Sequence, residues 1–370
     1  MFKSIKVNKK IVKAVLYLFL IMLFIYSCKT ASNMIGERIY ISELKKDYPD
    51  LSDYIDKAAN MDKKERRGLL LMVGIKDKVL SEKTIKTLKD NHIMGVILFD
   101  YNITDEKQLK KLTSDLRKYV NPNMLISIDQ EGGEVNRIKF DKLKDISAKN
   151  IGDSNSIEYA YNIAYKKSKF LLDLGINMIL GPLCDIPNDT NSYIYNRSFS
   201  TNIDIVSKMV SNTVKAQRDA GIISVLKHFP GHGDTAVNSH KDFPSIDKTT
   251  NELLSNEFIP FKSGIEAGAE IILAAHIKNK YIDDKYPASM SKKYAYILEK
   301  DLGFNGVVIT DDLAMTGNID TGINFGINLI SNVYENVEYM FKYIDADILS
   351  CARLLKIIDE NNISRTYKYH

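Results

Sequence analysis

The chain reads as one α/β domain built as a (β/α)8 barrel of the TIM type, and three observations carry that expectation. Eight short apolar runs alternate with helix-like segments, and ionisable residues stand directly after several of those runs. The length of 370 residues, 45% of them hydrophobic and 26% charged, gives one large domain an ample core. A doubly wound sheet would also place ligands at strand ends, so the second observation argues for the α/β class and the count of eight argues for closure.

The strand-like runs are Leu69–Val73, Gly95–Phe99, Met124–Ile128, Asn177–Leu180, Ile222–Leu226, Glu270–Ala275, Gly306–Ile309 and Ala346–Leu349. Between them, Asp105–Val120, Ile157–Leu174, Ile203–Ala220 and Asn251–Ala267 carry helical periodicity. The last strand is followed only by a short helix to His370, so the eighth unit is expected to be complete with little to spare.

Before the barrel lie two segments of different character. Residues 1–28 begin with five lysines in the first 13 positions and continue as an apolar run from Ala14 to about Tyr26. That run is short for a membrane span and suits a secretory core segment. Ile25-Tyr26-Ser27-Cys28 resembles a bacterial lipoprotein box, which implies lipidation of Cys28, export and tethering of the domain to a membrane in the cell envelope. An uncleaved anchor would give the same topology. Residues 29–64 form a polar spacer that ends in a helix packed on the domain, and residues 65–370 form the barrel domain. The net charge of +4 is mild and partly terminal, which gives no support for a nucleic-acid partner. Past Cys28, Cys184 and Cys351 specify no disulfide framework and are read as buried small hydrophobes.

The densest chemistry is residues 227–240, KHFPGHGDTAVNSH, where Lys227, His228, His232, Asp234 and His240 crowd one loop. The preceding Ile222–Leu226 run places Lys227 and His228 at a buried strand's C-terminal tip. Pro230, Gly231 and Gly233 exclude the helix that would make the four-residue spacing of His228 and His232 useful for zinc, and His232 is read as structural. No Gly-rich phosphate loop follows the first strand, so no nucleotide cofactor is expected. Asp129 follows the third run, Asp185 the fourth, His276 the sixth and Asp311 the seventh. Asp129-Gln130-Glu131-Gly132-Gly133 suits a carboxylate on a tight turn that grips hydroxyl groups, although acidic residues and glycine also make ordinary turns. Asp312 fits a helix-capping role better than Asp311 does.

Three of these motifs occur in one order, DQEGG, then KHFPGHGDT with its SH, then ITDDLAM. Together they resemble glycoside hydrolase family 3, in its β-N-acetylglucosaminidase branch, from about Gly68 to Leu349. The resemblance implies the same barrel, no metal or other cofactor, and a terminal β-linked N-acetylglucosamine as substrate, as in peptidoglycan fragments or chitin-type oligosaccharides. It implies that Asp129, Arg137, Arg197, Lys227 and His228 bind the sugar. Asp311 is the implied nucleophile and His240 the implied acid and base, for a retaining double displacement through a glycosyl-aspartate. With an unperturbed pKa of roughly 6.5, a histidine serves both halves of such a reaction. His276, in AAHI, is left a supporting role.

The chain departs from the family pattern at three places. Glu134 stands where the family has an arginine, Asn196 precedes Arg197 where the family has glutamate, and Asn238 replaces the aspartate that partners the catalytic histidine. An amide orients an imidazole but supplies no charge, so a slower enzyme or a more acidic optimum is expected, with Asp234 or Asp242 as substitutes from the same loop. The same departure leaves open a surface sugar-binding lipoprotein with weak or lost turnover, and a phosphorylase that uses phosphate in place of water.

Overall fold

The protein is described here from a computed structural model covering residues 22, 34–233, 244–316, 326–331, 341, 344 and 346–361. In chain order its strands are β1 (Leu71–Gly74), β2 (Gly95–Leu98), β3 (Leu125–Ile128), β4 (Gln130–Gly132), β5 (Val135–Asn136), β6 (Met178–Ile179), β7 (Ile223–Phe229), β8 (Ile271–Ala274), β9 (Val307–Thr310) and β10 (Asn328–Ile330). Eight of them form one parallel sheet in the order β10-β1-β2-β3-β6-β7-β8-β9. A parallel bridge between Ile309 and Ile327, beside β10, brings the two edges together, with the Thr310 amide donating to the Ile327 carbonyl at 3.0 Å. The expected barrel is therefore present.

The strands are apolar on both faces because both faces are covered. Alternate residues enter different packing groups: Met72, Leu125, Ile223, Val225, Ile271 and Leu273 fill the barrel interior. Val73, Val96, Ile126 and Ile128 instead face a helical layer that includes Leu88, Leu109, Leu112 and Leu116. On the opposite side Leu226, Phe229 and Ile272 pack with Val206, Val210, Phe258 and Phe261. The helices start where their sequences place caps. The Asp105 carboxylate accepts from the Gln108 amide ahead of Glu106–Tyr119, and Asn202 caps Ile203–Ala220. The Asn251–Ala267 expectation resolves into two helices, Thr250–Leu254 and Phe258–Glu266.

The eighth strand is a correction to the sequence reading. It is β10, whereas Ala346–Leu349 opens the Ile348–Glu360 helix. Both oxygens of Asp347 accept amide hydrogens, from Leu349 and Ser350, so this stretch starts a helix and cannot run as a strand. The β4–β5 hairpin directly after β3 was also unexpected.

At the N-terminal side, the Ser52–Asn60 helix buries Ile55 and Ala58 completely and shares a core group with Leu354, Ile357 and Ile358 of the last helix. This pair sits at the N-terminal ends of the strands, where the Asn361 amide donates to Glu270 just ahead of β8. The other end of the barrel is left for the site. Cys184 and Cys351 are buried and free of disulfides, as the sequence suggested. No helix among the described residues is long and apolar enough to cross a membrane. Cys28 lies outside the described residues.

Candidate active site

The sequence-selected side chains come from five strand ends. Asp129 directly follows β3, Lys227 and His228 end β7, and Asp311 follows β9, where its amide donates to the Ala274 carbonyl at 2.8 Å. Arg137 comes from the loop after the β4–β5 hairpin, and Arg197 from a 3-10 turn, Tyr195–Arg197, in the long connection after β6. All six line one cavity of about 370 Å³, a size that holds a sugar ring.

Local chain geometry explains the convergence. The register of β7 against β8 shifts between Leu226 and Phe229, so the adjacent Lys227 and His228 both reach the cavity instead of alternating. The segment after β6 runs alongside the tip of β7, with Leu183 bridged to Lys227, and this sets Asp185 opposite His228. In the hairpin, Gly132 has φ +101° and a Cβ there would meet the Ile146 carbonyl oxygen at 2.0 Å. Only glycine permits that turn.

Charge is arranged in two linked networks. In the first, Lys227 Nζ donates to Asp129 Oδ1 at 2.7 Å and contacts Glu131 Oε1 at 2.6 Å. Arg197 grips Glu131 bidentately, Nε to Oε2 at 2.9 Å and Nη2 to Oε1 at 2.7 Å. Arg137 Nη2 lies 3.6 Å from Asp129 Oδ2, with its guanidinium 5.5 Å from the Phe99 ring centroid. Burial by itself pushes the Glu131 carboxyl up, but Lys227 and Arg197 outweigh it and hold the group well below the ordinary range. Burial likewise pushes Lys227 down, and Asp129 and Glu131 reverse it and keep the ammonium charged.

In the second network, three N–H groups meet the fully buried Asp185 carboxylate. The His228 amide lies at 3.3 Å from both oxygens, the His232 amide at 2.7 Å and His228 Nδ1 at 2.7 Å. Burial raises the Asp185 carboxyl, but His228 and then His232 outweigh it and bring the group below the ordinary aspartate value, so it stays ionised. An ionised Asp185 accepts a hydrogen bond from Nδ1–H, which fixes that tautomer and leaves His228 Nε2 for the cavity.

Asp311 is half-buried and lines this cavity. Burial raises its carboxyl, but His228 and His276, the Asp312 amide at 2.9 Å and Lys227 together bring it below the ordinary aspartate value. Asp312 is the cap, its Oδ1 accepting from the Ala314 and Ser331 amides. Beneath them His276 Nε2 donates to the Asp312 carbonyl at 3.1 Å, which leaves Nδ1 to accept from the Ser289 hydroxyl at 2.7 Å. His276 thus lies behind Asp312 and does not line the cavity.

The other implied residue, His240, lies outside the described residues, as do Asp234, Asn238 and Asp242. The Glu134 and Asn196 departures meet each other: Asn196 Nδ2 donates to Glu134 Oε1 at 2.9 Å. An amide-to-carboxylate hydrogen bond thus joins the two departures. Sequence reasoning selected neither Glu131 nor Asp185 as site residues. Both stood in view, one inside DQEGG and one after the fourth apolar run, but their partners lie 66 and 43 positions away.

Such a cavity, with an ionised carboxylate in its lining and fixed cationic donors and carboxylate acceptors around it, is chemically suited to a neutral polyhydroxylated ring. The profile of the glycosyl hydrolase family 3 N terminal domain matches residues 62–329. The chain belongs to glycosyl hydrolase family 3. A β-hexosaminidase of Psychromonas ingrahamii is 30% identical over 287 residues, covering 75% of this chain and 82% of that protein. A β-hexosaminidase of Actinobacillus pleuropneumoniae is 33% identical over 257 residues, 67% of this chain and 73% of that one. Among solved structures, a family 3 β-N-acetylglucosaminidase from Paenibacillus aligns with TM-score 0.77 at 27% identity over 84% of this chain, which spans 64% of that longer protein. NagZ from Neisseria gonorrhoeae aligns with TM-score 0.71 at 27% identity, covering 78% of this chain and 88% of that one. This family 3 chain is accordingly a glycoside hydrolase.

Proposed function

We propose that this family 3 chain is a retaining, exo-acting β-N-acetylglucosaminidase that removes terminal β-linked N-acetylglucosamine. The observation that carries the reading is the convergence of Asp311 with Asp129, Arg137, Arg197, Lys227 and His228 on one polar cavity at the strand ends. The hexosaminidase names of the relatives supply the substrate class.

In the proposed reaction Asp129, Lys227 and His228 hold ring hydroxyls, with Arg197 fixing Glu131 and hence Lys227. Asp311, kept ionised by its cationic surroundings, attacks the anomeric carbon while His240 gives its proton to the leaving oxygen. The C–O bond to the leaving group breaks as the bond to Asp311 forms. His240 then takes a proton from water, whose oxygen displaces Asp311 and regenerates both groups. The role of His240 rests on the motif resemblance alone. From its leader sequence we also infer export and tethering through Cys28, with a glycan or peptidoglycan fragment reached from the membrane surface.

Asn238 favours a second reading, a sugar-binding lipoprotein with little turnover, because an amide in that position supplies no charge to the imidazole. One experiment separates these two and the phosphorylase reading: chromophore release from an aryl β-N-acetylglucosaminide by the protein, with and without added phosphate. Turnover independent of phosphate supports the hydrolase, phosphate-dependent turnover a phosphorylase, and sugar binding without turnover the binding protein.

A further inference from the structure

Behind the sugar cavity lies a buried lysine that no step above uses. Lys167, in the Ile157–Asp173 helix, is 5% exposed and points inward, away from solvent. Its Nζ donates to the main-chain carbonyl of Glu131 at 2.7 Å. Helical lysines on a barrel's outer layer normally extend to water, and burying one is costly unless its charge is used. This one is directed at the single backbone unit whose side chain joins Lys227 to Arg197.

We propose that Lys167 is a positioning residue for the sugar site, fastening Glu131 from behind so that its carboxylate holds Lys227 and Arg197 in register with Asp129. The inference rests on the proposed sugar-cleaving function of that cavity and adds a residue to it. Three independent features of the surroundings support it.

The hairpin offers little other means of fixing the Glu131 carbonyl. The β4–β5 register shifts between Gln130 and Gly132, so the ladder is interrupted at Glu131 itself. Gly132 and Gly133, at φ +101° and +67°, follow directly in conformations that favour glycine. The approach is also close, since a Cβ on Gly132 would lie 3.1 Å from Lys167 Nζ. Finally, Lys167 borders a small cavity of about 50 Å³ between the barrel wall and three helices, which Thr213 and Gln217 also line. On the side away from that cavity, the Glu131 carbonyl accepts the ammonium's hydrogen bond and sets where it sits.

Burial lowers the Lys167 ammonium to about 8, partly offset by the carboxylates of Asp141 and Glu131, the charged groups that face it from the adjoining loop and hairpin. The folded pKa is below that of a free lysine, so between about 8 and 10.5 the unfolded chain binds the extra proton. Loss of the proton thus favours the fold while weakening the grip on Glu131. Activity and stability should move in opposite directions in this window, which a merely structural lysine would not produce.

The test uses the full chain with Lys167→Met and Lys167→Arg, assayed with an aryl β-N-acetylglucosaminide across pH 6–9.5, with thermal melts alongside. Lys167→Met should lose on the order of tenfold in kcat/KM at pH 7, mainly through KM, with an unchanged or raised melting temperature. Lys167→Arg should recover part of the loss, and the alkaline step near pH 8 should disappear from both variants, since arginine stays charged throughout this range. A Met variant within twofold of the wild type at pH 7, or one whose activity loss follows its melting temperature, overturns the proposal. Should the wild type itself fail to turn over, the functional reading fails separately. Calorimetric binding of N-acetylglucosamine to the same three proteins then decides the role of Lys167, tenfold weaker binding by the Met variant supporting it and equal binding overturning it.

Discussion

Arg197 and Glu131 clasp each other through two parallel hydrogen bonds, 2.9 and 2.7 Å long, and Lys227 closes on the same Glu131 oxygen from the strand side at 2.6 Å. Two cations from separate strand connections are thereby positioned by one buried carboxylate. Planar bidentate pairing gives direction as well as attraction, so Glu131 fixes where Lys227 points before any sugar arrives.

Replacing Glu131 should therefore be severe. Glu131→Gln leaves two buried cations sharing one remaining carboxylate, Asp129, and is expected to cost about 3 kcal/mol in urea unfolding at pH 7. Activity should fall with it. The same residue gives an acid dependence: its folded pKa lies below its unfolded value, so its contribution is complete above about pH 4.5 and is lost progressively as pH falls below that. Asp185, also depressed, adds to the loss below about pH 3.8. Urea midpoints measured from pH 7 to pH 3 should drop in the wild type and much less in Glu131→Gln.

Asp185→Asn tests the second network. Three N–H groups point at this carboxylate, and an amide presents only one acceptor oxygen to them. The expected outcome is a loss of about 2 kcal/mol in stability and a tenfold or larger rise in KM, on the order expected for hydrogen bonds to a charged group. Steady-state kinetics and a urea titration on the purified variant check both parts.

What could be read in advance follows from where the information sits. Seven strands were legible as apolar runs, among which Leu71–Val73, Val96–Leu98 and Ile271–Ala274 are apolar and buried on both faces. The eighth was not. Asn328–Ile330 is three residues long and opens on a buried asparagine whose Nδ2 donates to the Leu70 carbonyl. Ala346–Leu349 took its place in the sequence reading because four residues are too few to distinguish strand from helix, and Asp347 was not weighed as a cap. At the site, residues at strand ends were legible as positions. Their pairings were not, since the partners of His228 and Arg197 are fixed only by barrel closure and by the path of the segment after β6.

Asn238→Asp tests the proposed pairing of position 238 with His240. A carboxylate near the ring favours its protonated form, so the alkaline limb of kcat/KM should move up by about one pH unit, with a several-fold gain in rate at pH 7. A pH–rate profile of the two proteins makes the comparison.

Asp311→Asn should retain sugar binding, because Asp129, Lys227 and His228 stay in place, yet lose about 10³-fold or more in kcat. Calorimetry with N-acetylglucosamine and single-turnover kinetics separate the two effects.

The central claim is that Asp311 becomes covalently attached to the sugar. It is tested most directly by mass spectrometry of the protein after exposure to a fluorinated N-acetylglucosaminyl fluoride, whose good leaving group admits the first step while the ring fluorine slows the second. The account predicts one added glycosyl unit, mapped by proteolysis to the peptide containing Asp311 and absent from Asp311→Asn. Turnover of the normal substrate without any adduct, and with inversion at the anomeric carbon by NMR, would contradict it.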